Sequence, residues 1–227
     1  MAEYVVELGK DGRRIESDGR LDAAAFHRNH LPIRTLLQRF LAGKSGDVVE
    51  AGSGTGQHVV DLARHFPDIA WWPSDLNQQH LTSIAAWRAH SGLANIRPPL
   101  RIDLSDLRWC PELHDGGGPG ELLAVFCANV IHIAPWRAAE GLFAGAGRYL
   151  RADGLMFLYG PFKRGGQHTA VSNAVFDASL RDNNAEWGVR DIADLEKLAD
   201  HSSLALLEIA EMPANNLILV FERSKTV

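Results

Sequence analysis

One short segment combines an acidic residue with several glycines in an order that could bind a charged small ligand. It is Glu50-Ala51-Gly52-Ser53-Gly54-Thr55-Gly56, and it follows the apolar pair Val48-Val49. Glycine tolerates positive φ angles and lets a ligand approach the backbone. Apolar residues at helical spacing come next, which predicts that the segment joins a strand to a helix. The loop amides could therefore bind an anionic group, while Glu50 could bind a cationic one.

Two classes of cofactor use a glycine-rich turn of this kind. The dinucleotide fingerprint Gly-x-Gly-x-x-Gly, counted from Gly52, needs glycine at position 57, where this sequence has Gln57. Glu50 would also place a negative charge near the pyrophosphate. S-adenosylmethionine (SAM) has no phosphate, and it carries a cationic sulfonium, a cationic amino group and a carboxylate. The pattern therefore favours SAM and disfavours an NAD-dependent oxidoreductase.

Two more acidic residues follow strands that are predicted further along the chain. Asp75 ends the second strand, about 20 residues after the loop, where an acidic side chain can bind ribose hydroxyls. Its alternative role is to cap the next helix. Asp103 follows the third strand and could face the adenine amine, or it could form a turn within Ile102–Ser105. Leu76 and Leu104 complete the predicted cofactor contacts at these two positions.

Asn129 and His132 lie at the end of the fourth predicted strand, where we expect the methyl group of SAM. Methyl transfer from a sulfonium is an in-line displacement, and the enzyme mostly supplies proximity and orientation. A base helps when the acceptor carries a proton, and histidine titrates in the useful range. Asn129 is predicted to orient the acceptor or to hold the cofactor. Alternatively, His132 is a packed histidine bonded to backbone.

Three further polar or aromatic residues are candidates for the same site. Tyr159 ends the fifth predicted strand and could form a wall of the acceptor pocket, or it could be a core aromatic. His168 follows Gly165-Gly166 and could belong to a lid that contacts the acceptor, or to a surface helix. Asn29, with His27-Arg28, is predicted to lie just ahead of the first amphipathic helix. We expect this polar cluster to fold over SAM.

These residues must be positioned by alternating strands and helices, an order that indicates a mainly parallel sheet with helices on both faces. Ligands bind such sheets beyond the carboxyl ends of the strands, where the strand order reverses. Helices are predicted near residues 24–42, 59–66, 81–85, 136–150, 168–182 and 191–201, and strands near 48–51, 69–72, 96–102, 122–133, 155–159, 204–211 and 217–221. Pro73 is predicted to end the second strand, and Pro98-Pro99 to interrupt the third.

The length and charge of the chain restrict its function. A chain of 227 residues suits one α/β domain, which we place at residues 21–227 after an N-terminal extension, 1–20, with a possible hairpin around Gly9–Gly12. The formal net charge is −5 and no Lys/Arg cluster occurs, which argues against a nucleic-acid partner. The chain has no run of 18 or more apolar residues, so we expect no membrane span. We expect a small-molecule acceptor as partner, and a monomer or homodimer.

The two cysteines and the N-terminus bear on the compartment. Cys110 and Cys127 lie in or beside apolar runs and do not form a metal-type pair. They are predicted to be buried thiols, and no metal ligand set is expected. The first residues, Met1–Tyr4, lack the basic-then-apolar pattern of a signal peptide. These features predict a cytoplasmic protein.

Five longer segments, together with Arg28-Asn29 and Pro32-Ile33, carry a family resemblance: Glu50–His58, Asn129–Trp136, Tyr159–Phe162, Trp187–Asp191 and Met212–Asn216. Over residues 45–222 the chain resembles class I SAM-dependent methyltransferases. Within them it is similar to an uncharacterised methyltransferase-like family described as a domain of unknown function. Residues 1–20 have no counterpart there.

The resemblance implies a Rossmann-like, doubly wound, seven-stranded, mostly parallel sheet with an antiparallel last strand. It implies no substrate, because the family is named by its cofactor fold. The expected function is a SAM-dependent methyltransferase that acts on a small-molecule acceptor. The alternative is a non-catalytic SAM-binding protein that works through partners.

Overall fold

The computed structural model describes residues 13–14, 18–109 and 120–224. The hairpin predicted around Gly9–Gly12 and the thiol of Cys110 lie outside the described residues. The chain divides into two compact units, one ending at Ile102 and the other beginning at Asp103.

The first unit contains three parallel strands and three helices. Its strands β3, β4 and β5 pair in parallel, and two short segments, β1 and β2, pair antiparallel near the N-terminus. The elements are β1 (Arg13–Arg14), β2 (Leu21–Asp22), α1 (Ala24–Leu41), β3 (Gly46–Ala51), α2 (Gln57–His65), β4 (Ile69–Asp75), α3 (Gln78–Ser91) and β5 (Leu100–Arg101).

The prediction that Pro73 ends its strand is wrong, because β4 continues to Asp75. Trp71 and Asp75 form their backbone hydrogen bonds with the 95–102 segment. Alternate residues of a parallel strand bond the same neighbour, so Pro73 also faces this segment. Pro98-Pro99 interrupts the segment there, as predicted, and leaves a gap between the Ile96 bridge and β5. A proline without an N–H is tolerated where the ladder is broken in this way.

The second unit holds the long central strands and a small sheet that the sequence did not predict. β6 and β7 are parallel, β12 is antiparallel to both β7 and β11, and the small sheet has the order β10-β8-β9. The elements are β6 (Leu122–Ala128), α4 (Trp136–Tyr149), β7 (Leu150–Gly160), β8 (Phe162–Arg164), β9 (Gln167–His168), α5 (Val171–Asn183), β10 (Arg190–Asp191), α6 (Ile192–His201), β11 (Leu204–Met212) and β12 (Asn216–Arg223).

The strands of the main sheet have the order β11-β12-β7-β6-β3-β4-β5. The predicted fold class is confirmed: a Rossmann-like, seven-stranded, mostly parallel sheet with an antiparallel last strand. The terminal hairpin of β11 and β12 is also where it was predicted, and its turn is a short 3₁₀ helix, Pro213–Asn215. Among the described residues, no helix has both the length and the apolar character needed to cross a membrane.

Two glycines of α4 position the segment that follows Asp103. A Cβ on Gly141 would overlap the carbonyl oxygen of Leu104, and a Cβ on Gly145 would overlap the indole of Trp109. The Trp109 indole N–H donates a hydrogen bond of 2.6 Å to the Gly141 carbonyl. Only glycine permits this close approach, so α4 fixes where the predicted adenine-binding segment begins.

Candidate functional site

The glycine loop combines close packing at one glycine with open space at another. Gly52, Gly54 and Gly56 all have positive φ angles, of 73°, 56° and 89°. A Cβ on Gly56 would lie 2.9 Å from the Ile84 Cα of α3, whereas a Cβ on Gly54 would meet nothing within 4 Å. The loop is thus packed on α3 at Gly56, and at Gly54 its backbone is open to a ligand.

Two serines join the ends of β3 and β4 beneath the loop. Ser53 N–H donates to the Ser74 carbonyl at 2.7 Å, and Ser74 N–H donates to Ser53 Oγ at 3.0 Å. Both hydroxyls donate to the carbonyl oxygen of Glu50, at 3.2 and 2.8 Å. These buried hydrogen bonds fix the two strand ends that carry the predicted acidic residues.

The Asp75 carboxylate accepts backbone hydrogen bonds from both of its sides. Gly54 N–H donates to Oδ2 at 2.9 Å, and Asn77 N–H donates to Oδ1 at 2.9 Å. His80 Nδ1 lies 3.2 Å from Oδ2. The alternative that Asp75 caps α3 is wrong, because the cap is Asn77, whose side chain accepts from Gln79 N–H. A carboxylate offers about four acceptor sites, so Asp75 retains capacity for a ligand hydroxyl.

Glu50 is a buried carboxyl group at the end of β3, with an exposed fraction of 3%. Among the described residues, its Oε2 has no hydrogen-bond partner. Burial raises the pKa of Glu50 to about 8; a hydrogen bond with Ser53 opposes this rise, and the charge of Asp75 adds to it. A buried carboxyl oxygen without a partner needs either a proton or a cationic ligand.

Gln57 connects the loop to the segment before α1, which we call the strap (residues 18–23). Its Oε1 accepts hydrogen bonds from Ala23 N–H at 2.7 Å and from the Thr55 hydroxyl at 3.0 Å. Its Nε2 donates to Asp22 Oδ1 at 2.7 Å. In the sequence, Gln57 argues only against a dinucleotide. Its contact with the strap was not predicted, because its partners Ala23 and Asp22 lie 34 and 35 positions away along the chain.

The strap is also held by α3. Leu21 N–H donates to Ser83 Oγ at 2.9 Å, and Ser83 Oγ donates in turn to the Thr55 carbonyl at 2.7 Å. The Trp87 indole N–H donates to the Leu21 carbonyl at 2.9 Å, and the Arg20 guanidinium lies 5.0 Å from the Trp87 ring. The strap therefore contacts the glycine loop through two independent side chains, Gln57 and Ser83.

The polar cluster around Asn29 lies inside α1 rather than ahead of it, so that part of the prediction is wrong. Asn29 is buried, and its Oδ1 has no hydrogen-bond partner among the described residues. His27 Nε2 lies 2.6 Å from Asp22 Oδ1, and the Arg28 side chain is exposed. Of the three, Asn29 alone presents a buried acceptor atom without a partner, and its contact with the cofactor stays a prediction.

In the second unit, Asp103 forms the turn that was its alternative role. Its Oδ1 accepts from Ser105 N–H at 2.8 Å, and its carbonyl accepts from Asp106 N–H at 3.1 Å. The Asp103 side chain is exposed and Leu104 is buried. Leu76, in the first unit, is half-buried. The predicted contacts of these residues with the cofactor stay predictions.

Asn129 directly follows β6 and has a left-handed backbone conformation. Its φ is 59°, a region that asparagine enters more readily than most residues. Asn129 N–H donates to the Tyr159 carbonyl at 2.9 Å, which ties the end of β6 to β7. Tyr159 is 3% exposed. This burial favours its alternative role as a core aromatic over a role in the wall of an acceptor pocket.

His132 is enclosed, with an exposed fraction of 1% and without hydrogen bonds to either ring nitrogen among the described residues. The Phe162 ring packs on it edge-on at 5.1 Å, and a Cβ on Gly160 would overlap Nε2. Burial lowers the pKa of His132 to about 3; the Arg190 charge lowers it further, and Asp177 opposes the shift. An imidazole with this pKa is neutral at pH 7 and a weak base. This environment favours the packed alternative, and catalysis by His132 stays a prediction.

Arg190 fixes the loop that contains His132. Its Nε donates to the Ile131 carbonyl at 2.9 Å, and one terminal nitrogen donates to the carbonyls of Ala134 and Glu186 at 2.6 and 2.9 Å. The guanidinium also lies 5.6 Å from the Trp136 ring. Arg190 therefore holds the chain after β6 through hydrogen bonds to backbone carbonyls.

His168, the predicted acceptor contact, is engaged with Asp177. Its Nε2 lies 3.2 Å from Asp177 Oδ2, and Lys163 Nζ lies 2.7 Å from the same oxygen. Arg181 Nε and Val189 N–H approach Oδ1 at 3.3 and 2.7 Å. His168, Lys163 and Val189 attach the β8–β9 hairpin and the chain before β10 to α5, whereas Arg181 belongs to α5 itself. No pattern in the sequence predicted this cluster, and the role of His168 toward an acceptor stays a prediction.

Solved structures with a similar fold are methyltransferases. An O-methyltransferase family protein from Burkholderia thailandensis is 15% identical with a TM-score of 0.73, covering 89% of this chain and 58% of that one. A putative sarcosine dimethylglycine methyltransferase from Galdieria sulphuraria is 14% identical with a TM-score of 0.65, covering 87% of each chain. CalO1, a methyltransferase in calicheamicin biosynthesis solved with S-adenosylhomocysteine (SAH) bound, is 16% identical with a TM-score of 0.62, covering 83% of this chain and 53% of that one.

The chain thus has a methyltransferase-like fold, and it spans little more than half the length of the first and third of these proteins. A sequence model of one family, described as protein of unknown function (DUF938), matches residues 20–223. The chain belongs to the DUF938 family, which confirms the family resemblance.

Proposed function

We propose that this protein is a SAM-dependent methyltransferase that acts on a small-molecule acceptor. The observation that carries the proposal is the arrangement in the first unit of Glu50, the glycine loop and Asp75. Near the end of β3, Glu50 has a buried carboxyl oxygen without a partner among the described residues, and the Gly54 N–H donates to the Asp75 carboxylate at the end of β4. Glu50 suits the ammonium group of SAM, the loop amides suit its carboxylate, and Asp75 suits its ribose hydroxyls.

The residues of the first unit fit SAM on their own geometry. Glu50 would bind the ammonium group, because its buried Oε2 lacks a partner within the part of the chain that the structure describes. The loop amides around Gly54 would bind the carboxylate, since the backbone there is open. Asp75 would accept the ribose hydroxyls with its remaining acceptor sites. When bound, SAM supplies an electrophilic methyl group.

The second unit would supply the acceptor contacts. We propose Asn129 and Tyr159 for this role, with His168 as a third contact, and Asp103 and Leu104 as further cofactor contacts. Catalysis would rest on orientation, which can supply a large part of the barrier reduction in a displacement reaction. An acceptor that is already nucleophilic at neutral pH suits this mechanism, because His132 is too weak a base to remove a proton efficiently.

A second candidate is a non-catalytic SAM-binding protein that works through partners. The enclosure of His132 favours it, because both ring nitrogens are buried without a partner among the described residues, with Gly160 against Nε2 and Phe162 against the ring. The two candidates share the cofactor and differ only in turnover. We retain the cytoplasmic location and the monomeric or homodimeric state as proposals for either one.

Two measurements test the proposal. Titration calorimetry should show that SAM and SAH bind, whereas NAD⁺ does not. The protein is then incubated with isotopically labelled SAM and a small-molecule extract, and mass spectrometry should find label in a new product. Binding without any labelled product across extracts would favour the non-catalytic candidate. Absence of SAM and SAH binding would overturn both.

A further inference from the structure

Glu50 is placed so that its carboxyl group carries either a proton or a ligand cation. Glu50 is 3% exposed, and its backbone carbonyl oxygen already accepts hydrogen bonds from the Ser53 and Ser74 hydroxyls. Its Oε2 has no partner among the described residues. Ionisation of a buried carboxyl group that has one oxygen without a partner is unfavourable, because burial removes the water that would stabilise the charge.

The neighbouring charge acts in the same direction. Asp75 ends the adjacent strand, and two backbone N–H groups fix its carboxylate. Its charge disfavours ionisation of Glu50, and together with burial it holds the pKa of Glu50 near 8. The helices around the loop carry further titratable residues: His27, Arg28, His30, Arg34 and Arg39 on α1, His58, Asp61, Arg64 and His65 on α2, and His80, Arg88 and His90 on α3. None of them is among the causes of the pKa shift at Glu50.

We propose that ligand binding at Glu50 is an exchange of cations, in which the empty protein keeps a proton on the Glu50 carboxyl and the ammonium group of SAM displaces it. The proton leaves a Glu50 carboxyl oxygen for the buffer, and the ammonium takes its place beside the carboxylate. This inference rests on the proposed function and adds a condition to it: the ligand must carry a cationic amino group to bind tightly. Neutral nucleosides would leave the proton in place.

If the exchange occurs, SAM binding releases a proton from Glu50, and calorimetry can measure this release. SAM and SAH are titrated at pH 6.5 into the wild-type protein and Glu50→Gln, in MES and in imidazole buffers, which differ in ionisation enthalpy. Below pH 7 the α-amino group of the ligand stays protonated, since its ordinary pKa is about 7.7–8.0. We expect the wild-type protein to release about one proton more than Glu50→Gln, because glutamine imitates the protonated carboxyl and has no proton to lose.

Two controls separate Glu50 from other sources of protons. Adenosine has the ribose and the base but no amino group, so it should bind with equal proton release in both proteins. Asp194→Asn removes an exposed carboxylate on α6 and should release as many protons as the wild-type protein. Any histidine that titrates on binding contributes equally to wild type and Glu50→Gln, and its contribution cancels in the difference.

The pH dependence of affinity gives a second readout. Between pH 5.5 and 6.5, the ratio of the wild-type to the Glu50→Gln association constant for SAM should rise about tenfold, as one linked proton requires. Tight binding with equal proton release and a constant ratio would overturn the inference and leave the proposed function intact. Absence of SAM binding at every pH would overturn both.

Discussion

The backbone N–H of Gly54 donates a 2.9 Å hydrogen bond to Oδ2 of Asp75, so the acid that ends β4 shapes the glycine loop after β3. The same carboxylate is proposed to hold the ribose. A substitution at Asp75 therefore acts on the ligand directly and also through the loop. Variants that separate the two effects are more informative than a single truncation.

Asp75→Ala should weaken SAM binding by roughly 10- to 150-fold, since hydrogen bonds to charged groups contribute about 1.5–3 kcal/mol. Asp75→Asn should also weaken it, because an amide cannot accept from both Gly54 N–H and Asn77 N–H with its two polar atoms. Calorimetry measures both affinities. Asp68→Ala, at an exposed acid of the same unit, serves as the control and should bind normally. An unchanged affinity in folded Asp75→Ala would reject the ribose assignment.

Alanine at Gly54 and at Gly56 should have different effects. Both glycines have positive φ, which costs another residue about 1–3 kcal/mol. At Gly56 the added Cβ would also press on the Ile84 backbone at 2.9 Å, so Gly56→Ala should unfold at a lower temperature than Gly54→Ala. Gly54→Ala should fold and bind SAM poorly, because its Cβ occupies the open space above the loop. Normal SAM binding by Gly54→Ala would make the loop a structural turn only.

SAM should slow hydrogen exchange in residues 20–32, because the strap and the start of α1 contact the glycine loop. Gln57→Ala removes the hydrogen bonds to Ala23 N–H and Asp22, and should speed exchange in the strap of the free protein. Exchange followed by mass spectrometry measures both effects, with Gln79→Ala on exposed α3 surface as the matched control. Equal exchange with and without SAM would mean that the segment is simply docked.

His132 should make the protein less stable in acid. Its pKa is about 3 in the folded state against an ordinary 6.5, so the unfolded chain binds the proton first and stability rises with pH between these values. At pH 5 the loss is about 2 kcal/mol, relative to pH well above 6.5. In denaturant unfolding His132→Gln should lose this contribution, and only the similar one from His58, whose pKa burial also lowers to about 3, should remain. His201→Gln, at an exposed position, should keep both.

The same variants test the catalytic role of His132. A general base contributes about 10²–10⁴-fold to the rate. We expect His132→Gln to keep the pH profile of turnover between pH 6 and 9, because a group with a pKa of about 3 does not titrate there. A hundredfold loss of turnover with normal SAM affinity would instead identify His132 as the base.

Glu50→Gln should stabilise the ligand-free protein at neutral pH. The pKa of Glu50 is raised from 4.5 to about 8, so the folded state binds the proton more tightly and wild-type stability falls as pH rises through this range. At pH 7 the accumulated loss is about 3 kcal/mol. Unfolding in denaturant at pH 5 and 8 should show that the stability of Glu50→Gln relative to the wild-type protein increases by about this amount, because the opposing contributions of the buried histidines are common to both proteins. Parallel slopes would show that Glu50 is ionised in the folded state.

The regular elements could be predicted where their periodicity is strong. The apolar spacing of Ile33 to Leu41 predicted α1, and the continuous apolar run from Leu122 predicted β6. The start of β7 was placed five residues too late, because Arg151–Gly154 is polar and turn-like although the strand begins at Leu150. The small sheet was missed, since strands of two or three residues have no period to detect.

The candidate site divides in the same way. Glu50 and Asp75 could be predicted together, because the ends of adjacent parallel strands meet at one edge of a sheet. The hydrogen bonds of Gln57 to the strap could not, since they join residues remote in sequence through side chains with several possible partners. The burial of His132 depends on Gly160, whose missing side chain leaves no pattern in the sequence.

The His132 imidazole packs directly against Gly160, since a Cβ on Gly160 would overlap Nε2 of the ring. Neither position can change size alone without a clash or a void. Homologous chains should therefore replace the two together, with a small residue at position 132 wherever position 160 carries a side chain. The residues at positions 132 and 160 would then show, from sequence alone, which homologues keep this packing at the end of β7 and which have replaced it.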